Sequence, residues 1–284
     1  MNLIVAFLRE RKVHLLIVLS YFFASFFSGY TLGYDVGFVN VFFGLVSIFL
    51  IFCFVYVYNS FIDLYLESDS GKKNMFAGAD ISKSMLALFF AVMFFMSLFV
   101  SYLISIQHFV MISVIGLFGF IYSHPKIGFK RRGTFAKSFS IVFCYMLMFV
   151  YFGLLFSDSY LVILVFALYF GSLSLSGTIF RDVKDRRSDK LSDVSTLATR
   201  FSDKVLAMFF DVITVVVYGL IVVLSLGGVL SSFYFLMLIV VPLRLYFTAN
   251  LRAGRYRRAG KASLYSYIFS ALIIFIVWLF VNVY

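Results

Sequence analysis

Two groups of oxygen-bearing side chains are the residues of this sequence whose types and spacing are suited to chemistry. Their members are Asn59, Asp63 and Glu67 in the first group and Asp182, Asp185 and Asp189 in the second. In a helix, each spacing places its three side chains along one stripe. Solvated helix ends explain either group alone, but like charges stacked on one stripe repel each other unless a cation neutralises them.

The chemistry of both groups favours magnesium. Carboxylate and amide oxygens are hard ligands of the kind that Mg²⁺ prefers. The three histidines of the chain are scattered and share no ligand spacing, so zinc and haem are not predicted. Mg²⁺ usually takes only one or two carboxylates and fills its other positions with water and phosphate oxygens. Two acidic helices that face each other would therefore hold a diphosphate between metal ions, with cations nearby to share its charge.

The elements that position these groups are predicted to be membrane-spanning helices. Of the 284 residues, 63% are hydrophobic and only 13% are charged, too few for the polar surface of a soluble domain. Hydrophobic runs of about 20 residues, the length that crosses a bilayer, recur along the chain. The nine predicted spans are 13–33, 39–60, 84–106, 109–123, 135–156, 160–180, 205–226, 229–248 and 263–284. The predicted fold is an all-α polytopic membrane protein.

The distribution of charge predicts the orientation of the spans. With a cytoplasmic N-terminus, the tail and the connections after spans 2, 4, 6 and 8, with the adjoining span ends, hold all 24 lysines and arginines. The opposite connections carry only Asp35 and Asp158. Because cytoplasmic connections are enriched in Lys and Arg, this alternation supports both the number of spans and their orientation. The net charge of +11 then lies beside anionic lipid headgroups, and nucleic-acid binding is not predicted.

Both acidic groups follow predicted spans, the second and the sixth, and they resemble the aspartate-rich motifs of the UbiA-type superfamily of intramembrane prenyltransferases. That family has nine transmembrane helices, with N-D-x-x-D-x-x-x-D after helix 2 and D-x-x-D-x-x-x-D after helix 6. The second motif is complete in this chain. In the first motif Ser60 replaces one aspartate and Glu67 replaces another. Glu67 keeps the charge with a longer reach, whereas Ser60 removes one metal ligand.

Three further segments resemble the same family. Residues 195–200 (S-T-L-A-T-R) are similar to its T-L-x-x-R continuation, and residues 72–82 are similar to its basic stretch and G-x-I-S boundary. Residues 122–125 (Y-S-H-P), followed by Lys130 and Arg131, are similar to its Y-S-x-P and K-R segment. The R-P dipeptide of many quinone-pathway and ether-lipid members is absent. The resemblance spans nearly the whole chain and implies a UbiA-like helical bundle.

The resemblance implies a single prenyltransferase domain over 1–284, with motif segments at about 59–83 and 181–204. The residues implied as catalytic are Asp63, Asp182, Asp185 and Tyr122. Those implied to bind the diphosphate are Asn59, Lys72, Lys73, Ser123, Lys130 and Arg131. Those implied as metal ligands are Asn59, Asp63, Glu67, Asp182, Asp185 and Asp189. Tyr122 is expected near an allylic cation, where an aromatic face stabilises positive charge.

The residues and the resemblance together predict Mg²⁺-dependent transfer of a prenyl group from a polyprenyl diphosphate to a lipophilic acceptor. The acceptor is expected to be of the quinone-precursor, carotenoid or ether-lipid type. The enzyme is expected in the cell membrane, surrounded by membrane lipids, with its active site on the cytoplasmic side and with no obligatory protein partner.

Two alternatives remain open at the level of the sequence. The first is a transporter or lipid-handling protein, whose marks would be ionisable residues or broken helices at mid-span. The spans are expected to carry almost no buried charge except Asp211 and Arg244, which lie near span ends, and neither Pro125 nor Pro242 is expected to break a span in its middle. The second alternative is a family member that binds prenyl diphosphate without turnover, which Ser60 keeps open.

Overall fold

The computed structural model of the chain describes residues 18–19, 22–26, 37–65, 82–130, 134–156, 159–191 and 195–283. Every regular element among these residues is a helix. The α-helices are α1 (Phe38–Tyr65), α2 (Lys83–Ile104), α3 (Ile106–Ser123), α4 (Thr134–Phe156), α5 (Tyr160–Leu191), α6 (Leu197–Arg200), α7 (Asp203–Leu226), α8 (Val241–Arg252) and α9 (Tyr256–Val283). A 3₁₀ helix, Ser232–Val240, leads directly into α8.

Eight helical segments of the described residues are long and apolar enough to cross a membrane, by length and composition. They correspond to the second to ninth predicted spans and confirm an all-helical membrane protein. The first predicted span, 13–33, lies mostly outside the described residues, although 18–19 and 22–26 are helical. The cytoplasmic position of the N-terminus stays a prediction.

Among the described residues, α5 and α9 extend furthest beyond the apolar runs that predicted them. α5 continues past residue 180 to Leu191, so the second acidic group lies on the same helix as its span. α9 begins at Tyr256 rather than at residue 263. Gly254, with a φ of 66°, lets the chain turn immediately after α8, and Arg255 N donates to Asn250 O at 2.8 Å to close that turn. Hydropathy follows the lipid-facing part of a helix, whereas the helix itself continues as long as its backbone bonds do.

The span Ser232–Arg252 changes its helical type near its middle. The 3₁₀ helix ends at Val240, and α8 follows with Pro242 in its first turn. Proline is tolerated there because the first N–H groups of an α-helix have no partner within the helix. The hydrogen-bond pattern changes beside Pro242, but the helix continues through the span from Ser232 to Arg252.

The described residues form two compact units. The first unit contains α1 to α3 and the segment that follows α3 up to residue 130. The second unit contains α4 to α9 together with residues 19 and 22–26. The described part of the first acidic group belongs to the first unit, and the whole second group belongs to the second. A single functional domain over 1–284 stays a prediction.

In the first unit, α1 and α3 approach each other closely at Gly119. A Cβ atom added to this residue would lie 2.3 Å from Val55 Cγ2, far inside van der Waals contact. α1 is joined to α2 through Ser47, whose hydroxyl donates to the carbonyl oxygen of Ser97 at 3.1 Å. The missing side chain of Gly119 lets α1 and α3 come close together one helical turn before Ser123.

In the second unit, α5 is the most buried of the candidate spans. It packs against α4, α7 and α9. Ile179 and Val183 belong to a buried apolar cluster with residues of α6 to α9. Nearer its start, the Tyr169 hydroxyl lies 2.9 Å from the hydroxyl of Tyr218 and 2.6 Å from that of Ser270. Contacts on several sides therefore hold α5 in place and orient its acidic C-terminal turns.

Candidate active site

The described members of the first acidic group, Asn59 and Asp63, lie in the last two turns of α1. Asn59 Nδ2 donates to Asp63 Oδ2 at 3.2 Å, so these two side chains share a face of the helix as their spacing predicts. Ser60, the departure from the family motif, is buried with 4% exposure. Glu67, Lys72 and Lys73 lie outside the described residues.

The end of α3 adds a second layer of contacts to this group. Ser123, the last residue of α3, is buried, and its hydroxyl donates to Asn59 Oδ1 at 2.9 Å. After Ser123 the chain leaves the helix at His124-Pro125 and turns back, with Lys130 N donating to the carbonyl oxygen of Tyr122 at 3.1 Å. This turn aims the following lysine at the acidic group.

Lys130 completes the site in the first unit. Its ammonium group forms an ion pair with Asp63 Oδ1, and both side chains are partly exposed. Four residues predicted from the sequence are thus brought together in one cluster, namely Asn59, Asp63, Ser123 and Lys130. We call this set the first-unit cluster. Tyr122 is half-buried directly before Ser123. Arg131 lies outside the described residues.

The second acidic group lies on the C-terminal turns of α5, and its three members differ in exposure. Asp182 and Asp189 are buried, each with 2% exposure, whereas Asp185 is exposed. The stripe predicted from the spacing therefore has a buried side and a solvent side. Asp182 and Asp189 are the members that packing constrains.

Lys137 is a site residue that the sequence-based prediction missed. It lies in the first turn of α4, and its ammonium nitrogen is 2.6 Å from Asp182 Oδ1. The sequence contained one signal for it, since Lys137 is a charged residue inside the predicted span 135–156. A cation at such a place is costly unless a carboxylate pairs with it.

The segment after α5 is held by structural contacts. Arg186 donates to Asp203 Oδ1 at 2.5 Å, and Tyr256 donates to Asp203 Oδ2 at 2.7 Å. The T-L-x-x-R run forms the single turn α6, which is capped by reciprocal bonds between Thr196 and Thr199. These contacts anchor the end of α5 against α7 and α9, and so they support the acidic group without adding ligands to it.

The residues present fit a magnesium ion by their chemistry. Among the described residues, no three carboxylates, thiols or imidazoles come close enough to form a metal site by themselves. Each unit offers a few hard oxygens instead, including Asp182 Oδ2, which is buried without a hydrogen-bond partner among the described residues. This small set suits Mg²⁺, which takes few protein ligands and adds phosphate oxygens and water.

Comparison with protein families gives one match, to a family model described as the UbiA prenyltransferase family, over residues 15–282. A search of curated proteins found no match.

Solved structures resemble the chain over nearly its full length. A structure of digeranylgeranylglyceryl phosphate synthase has a TM-score of 0.76 at 17% identity and covers 98% of both chains. An apo UbiA homolog from Aeropyrum pernix has a TM-score of 0.72 at 10% identity and covers 92% of this chain and 97% of its own. A UbiA homolog from Archaeoglobus fulgidus bound to GPP and Mg²⁺ has a TM-score of 0.64 at 15% identity and covers 96% of this chain and 99% of its own. At these low sequence identities, the similarity to the solved structures shows a shared fold.

Proposed function

The chain belongs to the UbiA prenyltransferase family, and from this premise we propose that it transfers a prenyl group from a prenyl diphosphate to a lipophilic acceptor with Mg²⁺ as cofactor. The observation that carries the proposal is the first-unit cluster, in which an amide, a carboxylate, a hydroxyl and an ammonium group meet at the ends of α1 and α3. This combination suits a metal–diphosphate complex, because it offers oxygen ligands to the metal and a cation to the phosphate.

The reaction breaks the bond between the prenyl C1 and the diphosphate oxygen, and both electrons leave with the diphosphate. A nucleophilic atom of the acceptor then bonds to C1 and loses its proton. When bound, Mg²⁺ supplies Lewis-acid stabilisation of the leaving group. Asp63 and Asp182 provide anionic ligands, and Asn59, held by Ser123, orients Asp63. Lys130 adds positive charge for the departing diphosphate.

We further propose that Tyr122 presents its ring to the allylic cation. Glu67, Asp185 and Asp189 complete the metal ligands in this proposal. Lys72, Lys73 and Arg131 add cations to the diphosphate. The apolar helices exclude water, which would otherwise capture the cation.

The proposal also covers the chemical type of the acceptor and the membrane in which the enzyme lies. The acceptor is a lipophilic molecule of the quinone-precursor, carotenoid or ether-lipid type, because the reaction takes place beside the lipid phase. The enzyme lies in the cell membrane with both acidic groups on the cytoplasmic side, where the cations of the chain are concentrated.

The first testable prediction is that diphosphate release depends on both acidic groups and on Mg²⁺. Purified protein in nanodiscs would be incubated with labelled prenyl diphosphates of several lengths and a membrane-lipid extract, with Mg²⁺ or with EDTA. Asp63→Ala and Asp182→Ala are each expected to lower the release rate by at least about 100-fold, because each removes charge stabilisation from the leaving group.

The matched control is Asp211→Asn, since Asp211 is a span aspartate that pairs with Arg252 and belongs to neither acidic group. Its release rate should stay within about threefold of the unmodified protein, which is a difference of less than 1 kcal/mol. Release that is insensitive to EDTA, or equal in all three variants, would exclude the proposed reaction.

Transport or lipid handling is the second candidate, and Arg244 is the observation in its favour. This arginine is buried within a candidate span, where it donates to Ser176 at 2.7 Å, and no carboxylate among the described residues forms an ion pair with it. Buried ionisable groups in membrane spans often mark transport pathways. If this candidate is correct, no diphosphate is released with any acceptor in the same assay.

A further inference from the structure

Lys137 occupies an unusual position for a lysine. It lies in the first turn of α4 with 16% of its side chain exposed, and its ammonium nitrogen is 2.6 Å from Asp182 Oδ1. Asp182 is itself 2% exposed. A buried carboxylate is strongly destabilising without a counter-charge, and Lys137 supplies that charge to Asp182.

A comparison within the same unit shows how this pair differs from the ion pair that anchors the end of α5. In the structural pair, both oxygens of Asp203 are bonded, Oδ1 to Arg186 and Oδ2 to Tyr256. In the Lys137–Asp182 pair, Oδ1 accepts from the lysine, but Oδ2 has no hydrogen-bond partner among the described residues although it is buried. Because Asp182 belongs to the acidic motif, its open oxygen is available to a metal ion that takes few protein ligands.

The first-unit cluster contains the same kind of pair. There Lys130 contacts Asp63, another aspartate that the proposed function uses as a metal ligand. In each unit, therefore, an aspartate proposed to bind metal is held by a lysine from the segment 124–137. The recurrence indicates a common role for the two lysines.

A lysine in this position has opposite effects on the two charged ligands of the reaction. Its positive charge repels a divalent cation at the same carboxylate, and it attracts a diphosphate. The four-carbon stem of lysine lets its ammonium group turn from one partner to another.

We propose that Lys137 is the counter-ion of Asp182 in the metal-free enzyme and binds the diphosphate in the loaded enzyme, so that metal and prenyl diphosphate bind together rather than metal first. This inference rests on the proposed function. It adds to that function a diphosphate-binding residue and an order of binding.

The second testable prediction is a pair of opposite changes in Lys137→Met. The full chain in nanodiscs would be titrated with Mn²⁺ alone, followed by electron paramagnetic resonance, and separately with labelled inorganic diphosphate in the presence of Mn²⁺. Affinity for Mn²⁺ alone should rise about tenfold, because one repelling charge is lost. Affinity for the diphosphate should fall about tenfold, because one charge-assisted contact is lost.

Two further variants serve as controls, one that keeps the charge at residue 137 and one that removes a different lysine. Lys137→Arg keeps the charge and should keep the weak binding of Mn²⁺ alone. Lys184→Met removes an exposed lysine of the same helix as Asp182, and both affinities should stay as in the unmodified protein. If Lys137→Met does not fold, Lys137→Gln provides the same test, since its amide still donates a hydrogen bond to Asp182 without the charge.

Unchanged or weaker binding of Mn²⁺ alone by folded Lys137→Met or Lys137→Gln would overturn the counter-ion role. Unchanged affinity for diphosphate in the same variant would overturn the diphosphate-binding role. Failure of the proposed function has a different signature. In that case Asp182→Asn leaves Mn²⁺-dependent diphosphate binding unaltered, whatever the Lys137 variants do.

Discussion

Asn59 is held by two hydrogen bonds of opposite direction. Its amide nitrogen donates to Asp63, and its amide oxygen accepts from Ser123. An amide supplies a donor and an acceptor on two separate atoms of one short side chain, whereas a carboxylate cannot donate and would repel Asp63. The residue type at this position therefore follows from its two neighbours, one on the same helix and one at the end of α3.

The third testable prediction is that Asn59→Asp lowers kcat/KM by at least about tenfold, because it replaces a hydrogen bond by repulsion between carboxylates. Diphosphate release at several Mg²⁺ concentrations would measure the effect. Ser123→Ala is the matched comparison, since it removes only the bond to the amide oxygen, and its loss should be smaller. A loss in Ser123→Ala that equals or exceeds the loss in Asn59→Asp would contradict this account of the amide.

At the scale of elements, the close approach of α1 and α3 is the feature on which the first-unit cluster depends. Ser123 reaches Asn59 only because the two helices are near each other at their C-terminal ends. Gly119 lies four residues before Ser123, about one helical turn, and its missing side chain leaves space for Val55. Packing inside the membrane span is thus coupled to the geometry of the site at its end.

The fourth testable prediction is that Gly119→Ala destabilises the protein by about 1–3 kcal/mol and lowers activity, because the added methyl group overlaps Val55. Thermal unfolding in detergent and diphosphate release would measure the two effects. Val55→Ala in combination with Gly119→Ala should restore part of both, since it removes the atoms that clash.

Gly219→Ala provides the matched control for that change. Gly219 lies inside α7, and a Cβ atom added there has no atom within 4 Å. The substitution should be neutral or stabilise the helix by up to about 1 kcal/mol, the difference in helix propensity between the two residues. Equal destabilisation by both glycine substitutions would show that steric overlap with Val55 is not the cause.

The long helix α5 is the second element with a direct effect on the site. It continues from its apolar span into the acidic group without a break. Asp182 and Lys137 can therefore meet, since the packing of α5 against α4 also sets the position of the turns that carry the carboxylates. A flexible loop at the same place would hold Asp182 far less firmly.

At the scale of the whole molecule, the two acidic groups belong to different compact units of the described chain. Each unit contains its own aspartate–lysine pair. The proposed reaction uses both groups, so loss of the paired aspartate in either unit should strongly lower the rate of diphosphate release. The orientation of the spans in the membrane is the other property at this scale.

The fifth testable prediction concerns that orientation. In a Cys53→Ser, Cys144→Ser background, single cysteines would be introduced at Val229 and Ala253, two exposed residues in successive connections. A membrane-impermeant thiol reagent added outside intact cells should label Val229→Cys and not Ala253→Cys, because positive charge is concentrated around the latter. The reverse labelling pattern would place the N-terminus outside.

The sequence by itself determined which segments are helical and long enough to span the membrane, and which residues are candidates for the site. Both are local properties. A hydrophobic run has the length of a bilayer whatever surrounds it, and the spacing of Asn59 and Asp63 on one helix face needs only the helical repeat. The first residue of a helix was less well determined. Hydropathy predicts a start at residue 263 for α9, but the helix begins at Tyr256, directly after the backbone turn at Gly254.

Only the tertiary structure decided which residues meet. Ser123 and Asn59 are 64 residues apart in the chain, and Lys137 and Asp182 are 45 residues apart. It also decided that Asp182 is buried while Asp185 is exposed, although the two share one acidic motif. The physical reason is that contact and burial depend on how helices pack against each other. That packing is set by the shapes of many side chains at once, such as the gap at Gly119, and no local spacing encodes it.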